Sequence, residues 1–258
     1  MLQDIFQSVL FFLLLLGCLE IGFQIGKRRL ASQKDPKTTG QNVLSGSIYA
    51  LLTLLLAFSF SLAVQRFEAR RHLVVDVANS IGTAYLRIDL LPQNYQPGLR
   101  HEFERFTDAQ IALGRDLATG TDYKAQLAII DSSEQRIWDL AMTAYQDDPH
   151  ESSRILFTPA INQMFDLASS RREASEIKTP FLIFILLACL SFASAILAGR
   201  NMVGNPSRGL GHRVVFCGVL AFVLFVVTDL DNPRQGSIRI DHADELLMDL
   251  RKSMESRG

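Results

Sequence analysis

The sequence predicts an all-α integral membrane protein with four transmembrane helices and a helical extramembrane domain between spans two and three. Four apolar runs each approach the roughly 20 residues that a bilayer-spanning helix needs. The 258 residues are 48% hydrophobic and 21% charged, and a mean hydropathy of +0.16 is typical of apolar spans averaged with a polar domain. The expected boundaries are 1–64 for spans one and two with a short basic loop, 65–179 for the extramembrane domain, 180–230 for spans three and four, and 231–258 for a C-terminal turn and amphipathic helix.

The first apolar run, Ile5 to Gly26, predicts an uncleaved anchor whose N-terminus lies outside. Its leading residues carry no positive charge, and the basic cluster Lys27-Arg28-Arg29 follows the apolar core instead of preceding it. No small-x-small cleavage site comes before that cluster. A signal peptide would show the opposite arrangement of charge.

Three further apolar runs complete the set of spans: Val43 to Val64, Pro180 to Gly199, and Val214 to Thr228. No charged residue interrupts any of them. A soluble core helix of similar length would normally show a polar face, which the second and third of the four runs almost lack.

The short loops predict the orientation of the chain in its membrane. Loops 27–42 and 200–213 are rich in Lys and Arg, and an excess of basic residues in short loops marks the cytoplasmic side. Both termini and the 65–179 segment would then face outward. Basic residues also flank the 65–179 segment at both ends and oppose this orientation. The short loops are given the greater weight, because long domains cross the membrane largely regardless of their charge.

A seven-residue repeat links span two to the domain that follows. The seam predicts that span two is the lower half of one helix, up to roughly 75 Å long. It can pack on its own domain or around an oligomer axis. Its members are Phe60, Phe67, Val74, Ile81 and Ile88, with Ala63, Val77, Ala84 and Leu91 as companions and Arg70 as the one charged exception.

The rest of the domain shows helical spacing and no strand signal. A second helix opens at Pro97-Gly98, and a third follows the loop Thr119 to Asp122 and carries Leu127, Ile130, Ile137, Trp138 and Ala141. A fourth runs from about Ser152 towards Pro180, where Thr179 would cap span three with a first-turn proline. An acidic first turn then predicts a last helix from Ala243 to Met254.

Two charged residues are candidates for a pore or ion site, Glu20 and Arg70. Glu20 lies inside the first span, where a carboxylate costs about 2.5–3.5 kcal/mol on insertion scales. It predicts either an ion or proton site or a structural interaction, such as a hydrogen bond or a reach to the nearby interface. Around an oligomer axis Arg70 would face a wet lumen and favour anions.

Small residues line one face of span two and one face of span three. Such faces indicate close helix packing or a pore lining, since small side chains let backbones approach in lipid. Gly22 and Gly26 add a short GxxxG pair in span one. The two faces are Gly46, Ala50, Thr53, Ala57 and Ser61, and Ala188, Ser191, Ala195 and Gly199.

Several classes of function are disfavoured by the composition. With 26 basic and 27 acidic residues, the chain lacks the basic excess of a nucleic-acid binder. The five histidines form no HxxxH or HExxH pair, and no nucleophile elbow, CxxC, GxGxxG or P-loop motif occurs. We therefore predict no catalytic residue, metal site or cofactor.

Two stretches resemble the bacterial bestrophin-like membrane proteins, a family labelled a domain of unknown function. They are LLAFSFSLAVQRFEARRHLVVDVANSIGTAYLRIDLLP, from Leu55 to Pro92, and DLDNPRQGSIRID, from Asp229 to Asp241. Bestrophins are pentameric anion channels that keep their large domain in the cytoplasm, so the resemblance places that domain opposite to the loop charges. The resemblance implies these signature positions: Glu68, Arg71, Asn79, Gly82, Arg87, Asp231, Pro233, Arg234 and Gly236.

The expected function is that of a homo-oligomeric, anion-channel-like membrane protein whose partners are the lipid bilayer, further copies of the chain and small anions. A non-conducting sensor or scaffold, whose helical domain binds a partner, is the alternative. A sensor would need a concave apolar pocket in the 65–179 domain, whereas a pore would need a constriction repeated around an axis.

Overall fold

The computed structural model describes residues 2–31, 38–147, 151–177, 179–203, 210–231 and 241–256, and the regular elements in these ranges are all helical. Four of the helices are long and apolar enough to cross a membrane, which confirms the predicted fold class. The elements are α1 (Leu2–Ala31), α2 (Thr38–Arg87), a 3-10 helix (Ile88–Leu90), α3 (Gln96–Thr119), α4 (Lys124–Asp147), α5 (Glu151–Glu176), α6 (Phe181–Asn201), α7 (Leu210–Asp231) and α8 (Asp241–Glu255).

The chain divides into two compact units. The first combines Met1–Arg66 with Lys178–Asn232, and the second combines Phe67–Ile177 with Pro233–Gly258. The first unit therefore holds α1, the N-terminal part of α2, α6 and α7. The second holds the rest of α2 with α3, α4, α5 and α8.

In the first unit, α1 and α6 cross at a distance that only glycine permits. A Cβ added at Gly22 would lie 2.0 Å from the Ile196 carbonyl oxygen, and one at Gly199 would lie 1.9 Å from the Leu19 carbonyl oxygen. Backbones this close can form Cα–H···O contacts between helices. The small residues of span three thus serve packing inside the unit, with Ser191, Ala195 and Gly199 all buried.

The remaining apolar contacts of the first unit form two clusters. Leu15 and Leu19 of α1 pack with Ala195 and Cys217 in one of them. The other joins α2 to α6 and α7 through Leu52, Leu56, Leu187 and Leu224.

The predicted continuous helix from span two into the domain is confirmed. α2 has 50 residues, which at 1.5 Å per residue makes roughly 75 Å, and Gly82 does not interrupt it. Val74, Ile81 and Ile88 of the seam are fully buried in the core of the second unit. This part of the seam therefore packs on its own domain, whereas Phe60 in the first unit is exposed.

The core of the second unit is built from the apolar faces of all its helices. Phe103 of α3 packs edge-on against Tyr85 and beside Phe157 of α5. α3 ends at Gly120, whose φ of 72° lies in the left-handed region that favours glycine. The Asp122 carboxylate then accepts a hydrogen bond at 3.0 Å from the backbone N–H of Lys124, the first residue of α4.

One local prediction is wrong. Pro180, without a side-chain hydrogen bond, is the N-cap of α6, and the hydroxyl of Thr179 donates to Asp231 instead of capping the helix. Trp138 is 37% exposed although its neighbour Ile137 is buried, because adjacent residues of a helix point about 100° apart. The last helix is confirmed and seats Leu247 and Met254 in the core of the second unit.

Candidate pore-facing surface and charged sites

The small-residue face of α2 is uncovered along its whole length. Residues Gly46, Ala50, Thr53, Ala57 and Ser61 are all exposed, and no atom lies within 4 Å of a Cβ added at Gly46. The face is also partly polar, since the Gln65 amide donates to the Ser61 hydroxyl at 3.3 Å. It contrasts with the similar face of α6, which is buried against α1. The surface of these five residues is called the α2 face below.

Lipid is a poor neighbour for such a surface. Lipid-facing positions are normally large and apolar, as Leu54, Phe58 and Leu62 are on the remaining exposed surface of α2. Small and hydroxyl-bearing residues leave backbone accessible and favour contact with another helix or with water. The α2 face is therefore suited to an oligomer axis.

Glu20 is held by an ion pair inside the first unit. Its Oε2 accepts from Nη1 of Arg213 in α7 at 2.8 Å, and the Arg213 guanidinium lies over the Phe23 ring with 3.9 Å to the centroid. The carboxylate is half-exposed, while Arg213 is mostly buried. This geometry supports the structural interpretation of Glu20. The sequence contained the signal, a lone acid in one span and an Arg at the start of another.

Arg70 is buried within the second unit, where it binds the end of α5. Its Nε donates to the Ala174 carbonyl at 2.9 Å, and its Nη2 donates to the Ile177 carbonyl. The last carbonyls of a helix lack partners within it, and a cation there also complements the helix dipole. The protomer by itself therefore compensates the buried charge, and an oligomer is not needed to explain it.

A third charged site lies at the end of α7, and the sequence did not reveal its partners. The buried Asp231 carboxylate accepts from Arg66 Nε at 3.0 Å, from the Thr179 hydroxyl at 3.0 Å and from the Thr179 backbone N–H at 3.0 Å. Arg66 Nη2 also donates to the Thr179 hydroxyl. These bonds join α2, the residues before α6, and the end of α7. A signal was present in the Arg and Asp residues that lie at the ends of spans two and four.

The other signature positions make separate structural contacts. Glu68 and Arg71 form an exposed pair at 3.5 Å. A Cβ at Gly82 would lie 3.3 Å from Leu250 of α8, so the glycine allows that helix to approach. Arg87 Nη1 donates to the Leu156 carbonyl at 2.6 Å.

Asn79 is exposed, and no contact of its side chain among the described residues explains its place in the signature. Pro233, Arg234 and Gly236 lie outside the described residues.

The second unit contains one carboxyl group with a strongly shifted pKa. Burial, followed by the neighbouring Asp131 carboxylate, raises the pKa of Glu134 from its ordinary 4.5 to about 7, against the opposing charge of Arg172. Arg172 itself lies 3.8 Å from Asp131. No group of three His, Cys, Asp or Glu side chains in the described ranges is arranged to hold a metal ion.

An open groove of about 1020 Å³ runs between α4 and α5. Trp138, Met142 and Tyr145 line one side, and Ile155 and Leu167 line the other. It provides the concavity that a sensor domain would need.

The comparisons with known proteins settle the family. A family model described as the bestrophin-like domain matches residues 9–244. The chain belongs to the bestrophin-like family. The resemblance expected from the two sequence stretches is thereby confirmed. The comparison with curated proteins gives no match to the bestrophin-like chain.

Solved structures show the same fold at low sequence identity. A bacterial bestrophin homologue from Klebsiella pneumoniae has 13% identity and a TM-score of 0.67, with 95% of this chain and 98% of the other covered. A single-site variant of such a homologue, from the same organism, has 13% identity and a TM-score of 0.68, with 98% and 99% covered. A variant titled only as a membrane protein has 14% identity and a TM-score of 0.69, with 95% and 98% covered. The bestrophin-like chain therefore has their fold over nearly its full length.

Proposed function

We propose that the chain forms a homo-oligomer around an axis lined by the α2 face and conducts small anions across the bacterial cytoplasmic membrane. The uncovered α2 face carries this proposal, because the protomer leaves this small and partly polar transmembrane surface without a neighbour among the described helices. Membership of a family known for anion channels supports the ion class and favours a channel over an enzyme. The groove between α4 and α5 meets a requirement of the sensor alternative, but the family does not favour that function.

The pore lining differs from the residues first expected to form it. Arg70 and Glu20 are both engaged by groups of their own unit, Arg70 by the carbonyls of α5 and Glu20 by Arg213. Ala57 and Ser61 on the α2 face are free of such ties to other helices in the described part of the chain. We therefore place the ion path along α2.

The experiment combines mass, flux and accessibility. Light scattering of the purified protein should give a multiple of the 28.8 kDa protomer mass. The oligomer in vesicles should release chloride. In a background without Cys18, Cys189 and Cys217, Ala57→Cys should lose this flux on treatment with a charged thiol reagent, because a charged adduct would obstruct a pore.

The control is Phe58→Cys, one residue away on the exposed apolar side of the same helix. A lipid-facing thiol reacts poorly with a charged reagent, so flux through this variant should be unchanged. A monomeric mass, the absence of flux, or equal block of both variants would contradict the proposal.

A further inference from the structure

One end of the first unit carries a dense set of cations, where α1 and α6 end and α7 begins. Lys27, Arg28 and Arg29 lie at the end of α1, Arg200 lies in the last turn of α6, and Arg213 lies near the start of α7. Glu20 is the one carboxylate among the described residues of this end, which are 17–31, 38–50, 195–203 and 210–220.

Two of these cations lie over one ring about two turns from the end of α1, and the backbone of a third lies nearby. Arg213 Cζ lies 3.9 Å and Lys27 Nζ lies 4.8 Å from the centroid of the same Phe23 ring. The backbone of Arg200 is adjacent, since a Cβ at Gly26 would lie 2.9 Å from the Arg200 carbonyl oxygen. α1 and α7 thus each place one cation on the Phe23 ring, and the backbone of Arg200 in α6 lies beside Gly26, one turn further along α1.

The charges of this region do not balance among the residues that the structure describes. Glu20 pairs with Arg213 at 2.8 Å, whereas Lys27 and Arg200 form no ion pair with any described residue. The partly buried Phe23 ring contacts both Lys27 and Arg213, as cation–π interactions permit. The region therefore has a net positive charge that an anion would complement.

We infer that Lys27, Arg200 and Arg213 bind the headgroup of an anionic phospholipid. The cations lie where the apolar spans end, which is the depth of lipid phosphates, and basic pockets between transmembrane helices bind such headgroups. Apolar side chains for the acyl chains follow directly along α1 and α7: Ile21, Ile25, Val214, Val215 and Val219 are all exposed. This apolar surface distinguishes a lipid from free phosphate as the occupant.

The test measures lipid binding to the full chain in detergent by native mass spectrometry, with phosphatidylglycerol and phosphatidylcholine as probes. The double variant Lys27→Gln, Arg200→Gln should lower phosphatidylglycerol affinity by about tenfold or more, because each cation beside an anionic headgroup strengthens its binding. Its phosphatidylcholine binding should not change. Arg213 is left intact because it also holds Glu20.

The matched control, Arg28→Gln with Arg29→Gln, removes the same charge from the same end of the unit, from residues with no contact to Phe23 among the described residues. It should lower phosphatidylglycerol affinity less than about threefold. Equal losses in the two variants, or no loss in either, would overturn the site. Displacement of the lipid by inorganic phosphate at equal concentration would also overturn the choice of a lipid. Thermal unfolding checks that each variant folds, and no outcome depends on whether the protein conducts.

Discussion

Single side chains secure the helix ends of this molecule. Asp231 lies at the C-terminus of α7, where a negative charge opposes the helix dipole. Arg66 and two donors of Thr179 offset that disadvantage. At the C-terminus of α5, by contrast, the Arg70 guanidinium complements the helix dipole, because a cation is favourable there.

Replacing Asp231 with Asn should lower the free energy of unfolding by about 3 kcal/mol. Breaking a buried pair leaves the partner charge uncompensated, which commonly costs 3–5 kcal/mol, and Arg66 is partly exposed, which places the effect at the lower end. Chemical denaturation in detergent measures the change. Glu68→Gln breaks an exposed pair and should cost less than about 1 kcal/mol. Similar losses in both variants would show that the Asp231 site is not special.

Arg70→Met should destabilise the second unit by about 3 kcal/mol, because two carbonyls at the end of α5 lose a charged donor. The neighbouring Arg71 is exposed, so Arg71→Met should change the stability by no more than about 0.5 kcal/mol. Chemical denaturation of both variants measures these changes and tests whether Arg70 stabilises the end of α5. A stable Arg70→Met protein with altered anion preference would instead restore Arg70 to the pore.

The Glu134 carboxyl predicts a pH dependence of stability. Its pKa in the folded state, about 7, lies above the ordinary 4.5, so the folded state binds a proton more tightly than the unfolded state. The resulting stabilisation is full below about pH 4.5 and is lost as the pH rises through about 7. Glu134→Gln should be more stable than the parent protein at pH 8 and show a flatter profile. An unchanged profile between pH 5 and 8 would contradict the shift.

Whole helices were the features that the sequence predicted best. The seven-residue spacing predicted that span two continues into the domain, because an apolar repeat of this period and length fits a helix and no other regular structure. Thr179 was predicted less well. Its position before Pro180 suits a cap, but the buried Asp231 carboxylate competes for its hydroxyl, and that partner is 52 residues away in the chain.

The α1–α6 crossing gives a prediction at the level of elements. Gly199→Ala would place a Cβ 1.9 Å from the Leu19 carbonyl oxygen, so the helices must separate. Overpacking typically costs 1–3 kcal/mol of stability, and a clash with backbone atoms should cost about 3 kcal/mol or more. Gly17→Ala in α1 meets no atom within 4 Å and should be neutral or stabilising by up to about 1 kcal/mol. Thermal unfolding of the two variants compares them, and equal stability would contradict the crossing.

At the scale of the whole molecule, the sequence predicted the class of protein better than its candidate site. Hydropathy and helical spacing are local, and they are enough for four spans and a helical domain. The three-way contact of Arg66, Thr179 and Asp231 depends on which helices pack together, which local patterns do not encode. The small-residue faces of spans two and three have similar residue patterns, yet only the face of span three, on α6, is covered within the protomer.

The side of the membrane on which the domain lies is the last prediction. Loops 27–42 and 200–213 are basic, and basic short loops remain in the cytoplasm, so residues 65–179 should be outside. With the native cysteines replaced, Ala125→Cys at an exposed position near the start of α4 should react with an impermeant maleimide in intact spheroplasts. Ser32→Cys, in the first basic loop, should react only after the membrane is opened. The opposite pattern would place the domain in the cytoplasm, where the bestrophin resemblance puts it, and would show that the basic residues flanking the domain outweigh those of the short loops.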